Sequence, residues 1–362
     1  MMERQPDRFL DAEGGGRRRP LSPGIFLVGV VMLLGVACDS NEPVTRASEE
    51  DSDPIEGPQM MNLSGDLQDV HDPSIIQAHG QYYLYSTGGG IQWRSASSLS
   101  QWTYRGDVLG GVPSWAQDIA GGDLWAPDIA YFDGAYHLYY AASTFGSSRS
   151  AIGVATADAL SPDSAGYGWT DHGKVIESYA PDPYNAIDPN VTFDGQGRLW
   201  MAFGSWNEAG IHLRRLDPDT GMLSGADSTL YTLADRPNAD ENAIEAPYII
   251  RHDGDYYLFV SFDHCCQGVD SDYNVRVGRS ESITGPYVDA DGTPMTEGGG
   301  TLVIEGTPDW KGTGHNSVLQ SDGETYLVYH AYSVQNDGTP VLRISPIEWE
   351  EGWPVVPTRT KE

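Results

Sequence analysis

The chain has 362 residues and carries 52 acidic against 21 basic side chains, a formal net charge of −31. A field that negative repels phosphate backbones and anionic bilayers, which excludes nucleic acid as a partner and a membrane-surface role for the body of the protein. Apolar content is only 39%, but ten Trp and twenty Tyr supply large core side chains, and 43 Gly with 23 Pro fit many short strands joined by turns.

At the N-terminus, Arg17-Arg18-Arg19 precedes an apolar run of 17 residues from Leu21 to Ala37, followed directly by Cys38. A basic flank, a short apolar core and small residues before a cleavage point predict a secretory signal over residues 1–37. Val36-Ala37-Cys38 resembles the bacterial lipobox, whose Cys is acylated and becomes the new N-terminus, although Gly35 stands where that motif usually has Leu. The competing reading is a single membrane helix, for which 17 residues is the low edge of a span. Residues 38–65, with Glu49-Glu50-Asp51 and Asp53 among them, read as a disordered acidic tether. The expectation is an exported protein whose membrane contact is confined to an N-terminal lipid.

From residue 66 to 357 one short phrase returns five times. The copies open at Asp72-Pro73-Ser74-Ile75, Ala126-Pro127-Asp128-Ile129, Asp188-Pro189-Asn190-Val191, Ala246-Pro247-Tyr248-Ile249 and His315-Asn316-Ser317-Val318, spaced 54 to 69 residues apart. Each leads into a turn: His79-Gly80, Asp133-Gly134, Asp194-Gly195, Asp253-Gly254 and Asp322-Gly323. An aromatic-rich run follows, such as Tyr82-Tyr83-Leu84-Tyr85. Asp-Gly between β-branched and aromatic runs is a strong hairpin signal, because Gly accepts the positive φ of a tight turn. Further strand candidates complete each unit, and no long segment has helical apolar spacing. Units of this size with about four strands each predict an all-β, five-bladed β-propeller. A β-sandwich would not explain the recurring openings. Ring closure should involve the termini, since Ile347-Glu348-Trp349 is strand-like and needs a partner. The chain is expected to act as a monomer.

The phrase precedes the hairpin and so belongs to the innermost strand of its blade. That brings Asp72, Asp128, Asp188, Glu245 and His315 toward one axis, with Asp128 two places later in its copy and therefore aimed elsewhere. For any single Asp-Pro the plain alternative is a turn residue. Crowded, partly desolvated carboxylates should have separated pKa values, as glycosidic cleavage requires. Cys265-Cys266 remain if Cys38 is acylated, and two free buried thiols are the simpler reading than a bridge between neighbours.

These residues carry a resemblance. Val70-His71-Asp72-Pro73-Ser74, Leu124-Trp125-Ala126-Pro127-Asp128, Ala186-Ile187-Asp188-Pro189-Asn190, Ile244-Glu245-Ala246-Pro247-Tyr248, Cys265-Cys266-Gln267-Gly268-Val269-Asp270 and Gly312-Thr313-Gly314-His315-Asn316-Ser317 are similar to the motifs of glycoside hydrolase family 43, specifically its arabinan endo-1,5-α-L-arabinosidases. The resemblance spans about Asp69 to Trp353. It implies an inverting glycosidase acting on α-1,5-linked L-arabinan, with Asp72 as general base, Glu245 as general acid and Asp188 orienting Glu245 and raising its pKa. It implies a metal ion, usually calcium, held near His315 largely through water. Trp125 becomes a sugar-stacking platform, and His71, Asn190 and Ser205 become substrate-binding candidates. An exo-acting arabinofuranosidase or β-xylosidase of the same family, and a non-catalytic sugar-binding propeller, are the alternatives.

Overall fold

Strands β1 to β21 fold into five sheets, each drawn from one continuous stretch of sequence. Blade 1 comprises β1–β5 (Ser64–Asp107), blade 2 β6–β9 (Trp125–Ser178), blade 3 β10–β13 (Asn190–Ala234), blade 4 β14–β17 (Ile244–Ile304) and blade 5 β18–β21 (Trp310–Val355). The structure is a computed structural model that describes residues 57–206, 210–239 and 241–358; the expected signal, Cys38 and most of the tether fall outside the described residues. This is the five-bladed, all-β propeller that the repeat predicts.

Four of the five hairpins turn as expected. Both residues of His79-Gly80, Asp133-Gly134, Asp253-Gly254 and Asp322-Gly323 have positive φ, as a two-residue turn of the mirror-image type requires. The third copy departs from the pattern. Asp194 and Gly195 open a longer loop in which Gly197 carries the positive φ, and the Asp194 carboxylate accepts the amides of Gln196 and Arg198. That carboxylate gives those turn amides a partner that the backbone alone would not supply.

The core is split into five layers, each sandwiched between neighbouring blades. Tyr85, Trp93, Leu138 and Tyr140 fill the layer between blades 1 and 2. Leu84, Trp102, Val328 and Ile344 fill the layer where blade 5 meets blade 1, so the ring closes over a packed core like its other joints.

The repeated phrase explains how the blades lock. Its first residue is left-handed in every copy: φ is 52° at Asp72, 43° at Ala126, 55° at Asp188, 56° at Ala246 and 46° at His315. A left-handed residue with a side chain costs roughly 1–2 kcal/mol, so something must hold it. In four copies a side chain of a neighbouring blade accepts its amide: His330 for Asp72, Thr87 for Ala126, Asp188 for Ala246 and Ser261 for His315. The third residue then reaches into the next blade. Ser74 accepts from Ile129 N, Asp128 from Val191 N and Asn190 from Ile249 N, while Tyr248 donates to Val318 O and Ser317 to Pro73 O. One position of the phrase faces the axis and another stitches the ring.

Closure differs in detail from expectation. Ile347-Glu348-Trp349 lies in β20 (Thr339–Glu350), where Glu348 and Trp349 pair with β21 (Trp353–Val355) of the same blade. The terminal segments nonetheless meet: Gln59 N donates to Pro357 O and Met61 N to Ile344 O. Residues 57–65, expected in the tether, are therefore part of the propeller, and Ser64–Gly65 form its edge strand β1 beside β5 (Gln101–Asp107). The apolar side chains of Met61 and Leu63 pack into the closing layer, which offsets the acidic composition that suggests disorder.

Candidate active site

Three carboxyl groups, of Asp72, Asp188 and Glu245, and the His315 imidazole meet where the inner strands begin. Asp72 is buried, and its Oδ1 lies 2.8 Å from His71 Nδ1 and 3.0 Å from His315 Nδ1. Its Oδ2 accepts a 2.5 Å hydrogen bond from the Thr87 hydroxyl. Burial alone would raise its pKa, but the positive field and hydrogen bonds of His315 and His71 hold this carboxyl well below the usual range. Asp72 is thus an anion ready to accept a proton.

Glu245 opens β14 (Ile244–His252) and is also buried. Both its oxygens are held: Tyr273 donates to Oε1 at 2.7 Å and Ser205 to Oε2 at 2.8 Å. Asp188 Oδ2 accepts the amide of Ala246, the residue after Glu245, and so fixes the backbone that aims the Glu245 side chain. Burial pushes Asp188 up to about 8, with His315 opposing and with the like charges of Glu245 and Asp72 adding to the rise. Asp188 is sealed from water, with one amide donor to stabilise its charge.

Asp128 stands apart, as its offset predicts. It is buried between blades, accepting from Ser74 Oγ at 3.2 Å and Val191 N at 2.7 Å, and burial raises it to about 6. Its work is in the ring of stitches.

The family model for glycosyl hydrolases family 43 matches residues 67–354. The chain belongs to this family. It is 42% identical over 293 residues to the extracellular endo-α-(1→5)-L-arabinanase 1 of Bacillus subtilis (strain 168), covering 79% of this chain and 87% of that one. It is also 42% identical over 301 residues to the extracellular exo-α-(1→5)-L-arabinofuranosidase ArbA of Cellvibrio japonicus (strain Ueda107), covering 80% and 86%. Among solved structures, the Cellvibrio cellulosa α-L-arabinanase complexed with arabinohexaose superposes with a TM-score of 0.77 at 39% identity, over 81% of this chain and 96% of that one. The endo-arabinanase of Bacillus licheniformis gives 0.75 at 42%, over 81% and 99%.

Within this family 43 propeller, three substrate-binding candidates prove to be engaged with the protein. Both nitrogens of His71 are occupied, Nδ1 by Asp72 and Nε2 by Tyr332 OH at 2.6 Å. Asn190 is buried and accepts from Ile249 N. Ser205 is the Glu245 donor. Trp125 is half-buried at the place in blade 2 that Glu245 holds in blade 4, directly before the left-handed opening. Sequence reasoning misses Thr87, Tyr273, His330 and Tyr332, which come from later strands and loops of their blades. Phe145 is 81% exposed on the loop joining β7 (Ala135–Ala142) to β8 (Ser150–Ala157), at the end of blade 2 where Trp125 lies.

Metal donors can be tested against these contacts. His71, Asp72 and His330 bring ligand atoms within 4.8 Å of one another. Yet both His71 nitrogens are hydrogen-bonded and His330 Nδ1 accepts the Asp72 amide, so His330 Nε2 is the one imidazole nitrogen of that trio without a hydrogen-bond partner. His315 uses Nδ1 on Asp72, leaving Nε2 as its remaining ligand atom. Burial would lower the His315 pKa, but Asp72 and Asp188 carry it up to about 9, which measures how strongly this spot attracts positive charge. One imidazole among carboxylates fits a hard cation that keeps most of its water. The expected cysteine thiols are instead a Cys265–Cys266 disulfide, and Cys266 is exposed.

Proposed function

We propose that this chain hydrolyses α-1,5-linked L-arabinan by inversion, with Asp72 as general base and Glu245 as general acid. The observation that carries the reading is the contrast between the two carboxyls. Asp72 is held anionic by imidazoles, whereas Glu245 is gripped by two neutral hydroxyls and backed by Asp188. An inverting glycosidase needs one carboxylate to take a proton from water and one carboxyl to protonate the leaving oxygen. Asp188 orients Glu245 through the Ala246 amide and keeps a proton in the cluster. Trp125 and Phe145 offer apolar faces on which sugar rings stack.

Incubation with linear arabinan tests this. Mixed short oligosaccharides are expected from endo action. Arabinose alone from the start would favour the exo reading, which the likeness to the Cellvibrio japonicus exo-acting relative supports. Glu245→Gln should abolish turnover while leaving binding intact; wild type that binds arabinan without releasing reducing sugar would leave only a binding module.

A hydrated calcium ion beside His315 also belongs to this reading. When bound it would supply positive charge to the carboxylate cluster. Exhaustive chelation should lower activity or melting temperature; if neither changes, no metal resides there. The protein is exported, as the names of its extracellular relatives suggest, and Cys38 is its lipid-anchored residue. Cys38→Ser should release it from the membrane fraction.

A further inference from the structure

The carboxylate of Asp72 ends a chain of hydrogen bonds that begins at the exposed disulfide. Cys265 and Cys266 are bonded to each other in the loop joining β15 (Asp255–Phe262) to β16 (Asn274–Ser280) of blade 4. The S–S bond closes a small ring around the peptide between them, and Cys266 is left-handed with φ 68°. That peptide's N–H donates to Tyr332 OH at 2.8 Å. Tyr332 lies on β19 (Glu324–Ser333) of blade 5, and its hydroxyl lies 2.6 Å from His71 Nε2. His71 Nδ1 in turn lies 2.8 Å from Asp72 Oδ1.

A backbone amide can only donate, so the Tyr332 oxygen accepts from Cys266. Asp72, held as an anion, can only accept, so His71 carries a proton on Nδ1 aimed at it, while its Nε2 meets the Tyr332 hydroxyl. His330, two residues before Tyr332 and hence on the same face of β19, accepts the Asp72 amide through Nδ1 and stacks on the His71 ring at 3.9 Å. Three blades thus converge on one carboxylate: blade 4 supplies the amide, blade 5 the hydroxyl, and blade 1 the imidazole and the acid.

We propose that Tyr332 and the Cys265–Cys266 ring are positioning elements for the general base, acting on Asp72 through His71. The disulfide fixes the amide that polarises Tyr332, and Tyr332 fixes the imidazole that orients Asp72 toward the attacking water. This rests on the assignment of Asp72 as base. Loss of one orienting hydrogen bond in such a chain is expected to cost about tenfold in rate if the bond acts only as the reaction proceeds.

The test is a cycle of variants assayed on linear arabinan with kcat and KM separated. Tyr332→Phe should lower kcat about tenfold with KM and melting temperature nearly unchanged. Cys265→Ser/Cys266→Ser should lower kcat by a similar factor. The triple variant should fall no further than Tyr332→Phe alone, because both changes break one chain. If the cysteine and tyrosine effects multiply, or if Tyr332→Phe keeps wild-type kcat, the relay is wrong. Asp72→Asn separates the two levels: a dead Asp72→Asn beside a fully active Tyr332→Phe overturns the relay alone, whereas an active Asp72→Asn overturns the base assignment itself.

Discussion

Gly314 has no room for a side chain, since an added Cβ would stand 1.9 Å from Cδ1 of Tyr273. The glycine lets the Tyr273 ring lie flat against blade 5 and carry its hydroxyl to Glu245 Oε1. Tyr273 is fully buried, so removing only the hydroxyl leaves the packing intact. Tyr273→Phe is expected to lower kcat about tenfold with little change in KM, because the lost bond orients the acid and does not hold substrate. Steady-state kinetics would show this, and a change confined to KM would refute it. Asp72, Asp188, Glu245 and His315 are legible in the sequence because each stands at the opening of a repeated phrase, where chemical differences stand out against a constant frame. Tyr273 and Tyr332 are not, because core residues such as Tyr257 and Tyr329 have the same signature. The protein contacts of His71, Asn190 and Ser205 are hidden as well, because the direction of a side chain is not visible in the sequence. The bridge between Cys265 and Cys266 is equally hidden, since adjacency reads against pairing.

A blade is held to the next by the third residue of the phrase, and in blade 2 that residue is an acid. Asp128 has a pKa of about 6 in the folded chain, against 3.8 ordinarily. The native state therefore binds an extra proton between those values, and stability falls as pH rises through that window. Each tenfold change in proton affinity is worth about 1.4 kcal/mol, so above pH 6 the ionised, buried carboxylate costs about 3 kcal/mol relative to its protonated form. Asp128→Asn should keep the bond to Val191 N and remove the charge. Its stability relative to wild type should rise between about pH 4 and 6 and then level off. Urea unfolding of both proteins across that range measures it; a difference that does not vary with pH would show that Asp128 does not titrate there. At this scale most of the architecture is readable, because Asp-Gly and His-Gly turns mark the hairpins. The third turn deviates because the Asp194 side chain captures the loop amides and makes a longer connection favourable.

Across the whole molecule the acidic excess sets a repulsion that packing must overcome. With a net charge of −31, moving from about 0.1 M to 1 M NaCl shortens the screening length from about 10 Å to 3 Å and should raise the melting temperature. A melting temperature independent of salt would mean that the charges are already spaced beyond mutual reach. The blades are contiguous in sequence, and among the described residues no strand is lent from one end of the chain to the other end's sheet. The ends are still neighbours, with Gln59 N donating to Pro357 O and Pro58 bridged to Thr358. The order in which the blades are synthesised is therefore not part of the information that defines the ring. A short linker from Thr358 back to Gly57, with new ends cut at Asp253-Gly254 on the far side from the carboxylates, would give a circularly permuted chain with every joint intact. Such a permutant would begin and end within blade 4, so the place where the ribosome starts could be moved around the circle without moving the chemistry at its centre.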